Sequence, residues 1–214
     1  VVAQDSIADR LAGFLVKFAG ELKIGPAYDK SSELGPMVTD DLRQRVLKWI
    51  DKGLQEGAKL VLDGRRACVK GFEKGFFLGP TIFDHVTPDM TVGNEEIFGP
   101  VLCIKRVKSF EAGLALMNGS RFANGSVIFT QHGNYSREFA RQTHAGMVGI
   151  NVGIPVPIGM FPFSGHKSSF IGDLHVLGRD GVRFYTETKV VTTRWFDDEE
   201  RKKQTVDTWD GTIG

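Results

Sequence analysis

Apolar positions recur at helical spacing twice near the start of the chain. Ile7, Leu11, Phe14, Leu15, Phe18 and Leu22 form one stripe, with Asp5 or Ser6 as a plausible N-cap and Gly25-Pro26 as the stop. Leu42, Val46, Ile50 and Leu54 form the second. Thr39 can cap that helix, Asp40 and Asp41 favour the positive end of its dipole, and Gly57 can close it. Leu60-Val61-Leu62 then reads as a short strand. Residues 63–75 are basic and punctuated by glycine, as in an exposed hairpin loop, and Phe76 to Phe83 reads as a strand interrupted at Gly79-Pro80. Beyond it the pattern alternates. Val101–Val107 predicts a strand, Ser109–Asn118 a helix, Ser126–Thr130 a strand, Tyr135–Thr143 a helix and Met147–Asn151 a strand. Alternation at this pitch predicts an α/β fold with a parallel sheet and crossover helices. Residues 152–182 lose the pattern, with Pro155, Pro157 and Pro162 among Gly, Phe, Ser and His. A loop of that length inside a compact domain is usually functional. Val182 to Trp195, rich in Tyr, Thr and Val, predicts a strand, and the tail from Asp197 onward is charged and polar.

Composition narrows this picture without redirecting it. A chain of 214 residues, 41% hydrophobic and 25% charged, suits one large globular domain or one domain with appendages. A formal net charge of +1 gives no electrostatic reason to expect nucleic acid or an acidic membrane as partner. No apolar run approaches the roughly 18 residues that span a bilayer. Cys68 and Cys103 alone make no disulfide framework, which favours a reducing compartment. The chain opens on Val1 rather than Met and has no targeting-peptide character, so the expectation is a piece of a longer protein or a trimmed or processed product.

The most informative stretch is Gly93-Asn94-Glu95-Glu96-Ile97-Phe98-Gly99-Pro100. Side chains on a short loop entering a strand are well placed to meet a ligand. Glu96 can accept hydrogen bonds from a pair of ribose hydroxyls, and Phe98 can pack on the sugar or base. Cys68 stands among Arg65, Arg66 and Lys70, cations that favour a thiolate, but no general base is recognisable near it, so an incidental surface thiol is expected. Cys103 lies in an apolar run and reads as an inert core residue. His85, His132, His144, His166 and His175 show no metal spacing, although His166, Asp173 and His175 share one loop. No metal is expected. Lys167 and Arg179 could hold an anion or simply solvate their loop. There is no G-x-G-x-x-G after a strand and no phosphate-cradling loop; Ala145–Asn151 has the glycines, but a strand follows them rather than a helix.

Several ordered segments resemble the NAD(P)-dependent aldehyde dehydrogenase superfamily, from about Asp5 to Trp195. They are Lys23-Ile24-Gly25-Pro26 with Glu33-Leu34-Gly35-Pro36-Met37, then Gly79-Pro80-Thr81-Ile82, then the Glu95–Pro100 motif. Asn151–Pro157, Phe161-Pro162-Phe163-Ser164-Gly165 and Phe184–Lys189 are narrower and resemble the CoA-acylating, methylmalonate-semialdehyde dehydrogenase branch. The stretch Phe163–Phe170 also follows that branch.

The resemblance implies oxidation of methylmalonate or malonate semialdehyde with NAD and coenzyme A. A cysteine thiolate forms a thiohemiacetal, hydride passes to NAD, carboxylate leaves as CO2, and CoA takes the acyl group to give propionyl-CoA or acetyl-CoA. It assigns Glu96 to the nicotinamide ribose hydroxyls, Phe98 to the side of that ribose, and Phe163, helped by Phe161, to the substrate tunnel. It places no catalytic residue in this chain: neither Cys68 nor Cys103 matches the nucleophile, which together with the cofactor domain is expected before Val1. Residues 1–182 then correspond to the catalytic domain after the nucleophile, 183–196 to an arm that adds a strand to a neighbouring subunit in a homo-oligomer, and 197–214 to a polar tail. The expected location is cytoplasmic, or the mitochondrial matrix in a eukaryote. Two other readings stay open: a non-catalytic oligomerisation module, and a hydrolytic aldehyde dehydrogenase.

Overall fold

The computed structural model describes residues 1–195 and 197. Strand β1 (Val2–Gln4) runs straight into helix α1 (Asp5–Gly20). The helix is the one the first stripe predicts, but its boundaries and buried face differ. Gln4 holds the N-cap position without a side-chain bond, so neither Asp5 nor Ser6 caps it; Asp5 instead lies in the first turn, where its charge meets the dipole. The helix ends at Gly20, ahead of Gly25-Pro26. Ile7, Phe14 and Phe18 are exposed, while Ala8 and Ala12 are buried. Side-chain size is the reason: two alanines on one face let the helix settle closely against Ala3, Ile82 and Ile104, with Leu11 and Leu15 at the margins.

Helix α2 (Asp40–Gln55) follows its pattern closely. The Leu42 amide donates to Thr39 Oγ1 at 3.3 Å, and Val46 and Ile50 are wholly buried. Gly57 takes φ +90°, and the Ala58 amide donates back to Gly53 O at 3.0 Å, closing the helix in the left-handed conformation glycine allows. The main core gathers Val46, Ile50, Leu78, Phe83 and Val92.

Strand β2 (Lys59–Leu62) pairs antiparallel with β3 (Thr81–Asp84), so the hairpin loop expected over 63–75 runs on to residue 80. The strand expected over 76–83 begins only at Thr81. Before it, the Gly79 amide donates to Gly64 O at 2.9 Å, and the two glycines touch so closely that a Cβ on Gly64 would lie 2.0 Å from Gly79 O.

The single strand expected over 101–107 is two strands. β4 (Val101–Cys103) pairs parallel with β3, and β5 (Lys105–Val107) pairs parallel with β1. Ile104 between them donates to Phe83 O on β3 at 2.8 Å and accepts from Val86 N at 3.1 Å, so its backbone is bonded to the β3 side and not to β1. Arg106 on β5 donates to both carboxylate oxygens of buried Asp84, at 3.0 and 2.6 Å, and also reaches Asp9 on α1 at 2.8 Å.

Helix α3 (Phe110–Asn118) is capped by Ser109, which accepts from Ala112 N at 3.2 Å. The short strand β6 (Phe122–Ala123) follows. β7 (Gly125–Ile128), α4 (Gly133–Gln142) and β8 (Met147–Ile150) then form the expected crossover, with β7 parallel to β8. β9 (His166–Lys167) pairs antiparallel with β6, and helix α5 (Gly178–Phe184) follows. The architecture is thus mixed α/β, with parallel pairs β1–β5, β3–β4 and β7–β8.

One expectation is corrected. The strand foreseen from Val182 to Trp195 does not start at Val182: Val182–Phe184 belong to α5, and within this single chain residues 185–195 pair with no described strand. The β-branched and aromatic preference of that stretch is a preference for packing beside a neighbouring strand, and without one it imposes nothing. Phe196 and residues 198–214, most of the foreseen tail, lie outside the described residues.

Candidate functional site

The loop Gly93–Pro100 is pinned at both ends. At its start a short 3-10 turn (Thr91–Gly93) is held by Glu56 from the end of α2, which accepts from the Thr91 hydroxyl and from Val92 N at 3.2 Å. Asn94 donates to Pro88 O at 2.5 Å and accepts from Lys105 Nζ at 3.0 Å. Ile97 is buried, and its carbonyl accepts from Arg45 at 3.3 Å. At the far end Gly99 abuts the core: a Cβ there would stand 2.6 Å from Val46 Cγ2. With Ile97 inward and both ends fixed, Glu96 and Phe98 are left exposed.

Phe98 is 72% exposed and takes φ +56°, a left-handed conformation that costs a side-chain-bearing residue on the order of 1–3 kcal/mol. An apolar ring held out in a strained backbone is an observation that points to function rather than packing. Glu96 forms no hydrogen bond or ion pair with the described residues, so both its oxygens are open. Its neighbour Glu95 is by contrast committed to Arg121.

Both residues border a cleft of about 640 Å³ whose other walls include Cys103, Lys105, Met117 and Ser126. Burial pushes the Cys103 thiol up, and its sulfur donates to Val92 O at 3.4 Å, so it is a poor nucleophile. Burial pulls the Lys105 ammonium down. Sequence reasoning does not single out Lys105; its signal is the period of two that sets it on the same cleft wall as Cys103.

The structure does not bring the two aromatic candidates into this cleft. Phe161 is exposed, its amide donating to Ile158 O at 3.0 Å. Phe163 is half-buried and bridges Val176, its amide donating to Val176 O at 2.7 Å. Cys68 is exposed, and Arg65, one of its expected cationic neighbours, is paired with Asp63 and Asp51 at 2.7 and 2.8 Å. Lys167 does not present its charge to an anion: it donates to Asn118 O and Ser120 O at 2.5 and 2.8 Å, at the C-terminal end of α3 where a cation is favoured. Among the described residues no three His, Cys, Asp or Glu side chains gather around a metal position, and no helix is long and apolar enough to cross a membrane.

Gly99→Ala is expected to cost about 1–3 kcal/mol, the ordinary penalty of overpacking, because Val46 is wholly buried and has nowhere to retreat. Urea unfolding checks it; an unchanged midpoint would mean the loop is not clamped as described.

Comparison with known proteins adds the following. A family model described as the aldehyde dehydrogenase family matches residues 1–191. The malonate-semialdehyde dehydrogenase 3 of Bacillus cereus (strain ZK / E33L) is 50% identical over 196 residues, covering 91% of this chain and 40% of that protein. A structure described as a methylmalonate-semialdehyde dehydrogenase of Sinorhizobium meliloti 1021, complexed with NAD, superposes with a TM-score of 0.89 at 43% identity, covering 93% of this chain and 41% of that one. The methylmalonate-semialdehyde dehydrogenase DddC of Oceanimonas doudoroffii gives 0.89 at 42% identity, covering 94% and 42%. The chain therefore spans about two fifths of the length of the relatives it matches.

Proposed function

We propose, from the premise that this chain belongs to the aldehyde dehydrogenase family, that it forms part of an NAD-dependent oxidoreductase acting on malonate or methylmalonate semialdehyde. The observation that carries this reading is the open Glu96 carboxylate beside the outward Phe98 ring on a doubly pinned loop. A carboxylate with both oxygens open can accept from two vicinal ribose hydroxyls, and a rigid loop gives up little entropy in doing so. The exposed ring can pack along the sugar. NAD, when bound, supplies the hydride acceptor. The chain's own residues then orient it: Glu96 through the hydroxyls, Phe98 through contact, and Glu56 and Gly99 by keeping both in place.

Several finer parts of the proposal rest on the named relatives and on the motifs. Phe161 and Phe163 line the substrate tunnel. Coenzyme A accepts the acyl group after loss of CO2. Of the arm expected at 183–196, residues 185–195 pair with a neighbouring subunit in a homo-oligomer, in the cytoplasm or, in a eukaryote, the mitochondrial matrix. The NAD complex of the Sinorhizobium meliloti relative supports the cofactor.

Neither cysteine of this chain suits the thioester step, Cys103 because burial disfavours its thiolate and Cys68 because no base stands ready beside it. The 214-residue polypeptide alone is accordingly expected to form no NADH from semialdehyde, NAD and CoA. A rate above the protein-free control would contradict this. A second reading, a non-catalytic oligomerisation module, is favoured by the exposed apolar side chains of the C-terminal stretch, among them Val190 and Trp195. Sedimentation with and without residues 183–214 tests the arm that both readings share, since a monomer in both cases removes it. A hydrolytic aldehyde dehydrogenase would give the free acid rather than a CoA thioester.

A further inference from the structure

The segment carrying Phe163 is tied down from one side by a cluster that the proposed function does not use. His175 and Asp180 are largely sheltered, with side-chain exposures of 18% and 22%. His175 Nδ1 lies 3.4 Å from Asp180 Oδ2, and its Nε2 lies 3.3 Å from Ser164 Oγ and 3.4 Å from Gly165 O. Its ring stacks on Phe170 at a centroid distance of 4.3 Å. A carboxylate only accepts, so in the neutral ring Nδ1 carries the proton and Nε2 is an acceptor. The Gly165 carbonyl, also an acceptor, cannot then be its partner. The Ser164 hydroxyl can, by donating. The backbone adds a parallel tie one residue earlier, where the Phe163 amide donates to Val176 O at 2.7 Å.

We propose that His175 is a positioning residue, which, oriented by Asp180 and bonded by the Ser164 hydroxyl, fixes the turn Phe163–Gly165 and so sets where the Phe163 ring stands. The consequence for substrate rests on the reading of Phe163 as a tunnel residue; the tie itself does not. Two linked polar contacts and a stacked ring at one imidazole leave a single orientation, which is how a loop aromatic is held within the few tenths of an ångström a binding wall needs.

Hydrogen exchange and imidazole ¹⁵N spectra of the full chain test this. His175 is expected in the Nδ1–H form. His175→Phe keeps the stack on Phe170 and fills the space, yet is expected to speed exchange of the Phe163 amide at least tenfold while the Ile82 amide, in the core, stays protected; His175→Gln, which can still meet Ser164, restores part of the protection. Wild-type exchange in His175→Phe would show that packing alone holds the turn and would overturn the proposal, as would an Nε2–H tautomer. The same three residue types build hydrolytic triads, so labelling of Ser164 by a fluorophosphonate would make it a nucleophile and overturn the proposal too. Malonate semialdehyde added to the wild type reports separately on the tunnel: if His175→Phe loosens the amide but semialdehyde leaves the wild-type Phe163 signals unmoved, the positioning role stands and the tunnel reading fails.

Discussion

Arg106→Met destabilises the fold by about 1–3 kcal/mol, the cost of leaving the buried Asp84 carboxylate without its hydrogen-bond donors. Asp84 is 2% exposed, and Arg106 is its bidentate partner, while the His85 amide donates to Oδ1 at 2.7 Å. The further contact to Asp9, whose side chain is 91% exposed, contributes little. The Arg106 guanidinium holds the Asp84 carboxyl below the usual carboxylate range. A lowered folded-state pKa means stability that is present in full above the unfolded value, about 4, and is lost as pH falls through the folded value. The wild type therefore loses stability below about pH 4. The variant has an unpaired buried carboxylate that protonation relieves, so the gap between the two proteins narrows over the same range. Urea midpoints from neutral pH to pH 3 check both parts; a gap that is small at neutral pH or constant with pH would contradict the account.

Glu96→Gln has the opposite character: little change in stability and a large change in ligand affinity. The side chain is exposed and unbonded within the described residues, so its replacement falls within about 0.5 kcal/mol for folding. In binding it exchanges two hydrogen bonds to a charged acceptor, about 1.5–3 kcal/mol each, for neutral ones of about 0.5–1.5. A net loss of about 2–3 kcal/mol corresponds to roughly 30- to 150-fold weaker binding of NAD or nicotinamide mononucleotide. Titration of the two proteins checks this, and equal affinities would remove Glu96 from the cofactor site.

Much of this was legible in the sequence where one physical cause acts alone. Thr39, the α2 stripe and Gly57 give that helix because cap, face and stop agree with one another. The β7–α4–β8 crossover is legible because the period switches cleanly between 2 and 3.6. Failures arise where packing partners decide. On α1, Ile7, Phe14 and Phe18 are exposed, because the close-packed centre of the face takes Ala8 and Ala12 while Leu11 and Leu15 pack at its margins. Val101–Val107 reads as one strand, and only the tertiary pairing of β4 with β3 and of β5 with β1 divides it. The candidate loop was legible as a motif, but the reason Glu96 and Phe98 face outward lies in Val46 and Glu56, far away in sequence. The linkage of Ser164, His175 and Asp180 spans a stretch with no periodic signal at all.

The central claim is that the Gly93–Pro100 loop receives the nicotinamide ribose, and amide chemical-shift mapping tests it most directly. Nicotinamide mononucleotide is added to the ¹⁵N-labelled chain and to Glu96→Gln, with free nicotinamide, which lacks the ribose, as the control ligand. The account predicts shifts at Glu96, Phe98 and the walls of their cleft in the wild type, sharply reduced in the variant, with no such pattern from nicotinamide alone. Shifts confined to another surface, or identical in the two proteins, would contradict it.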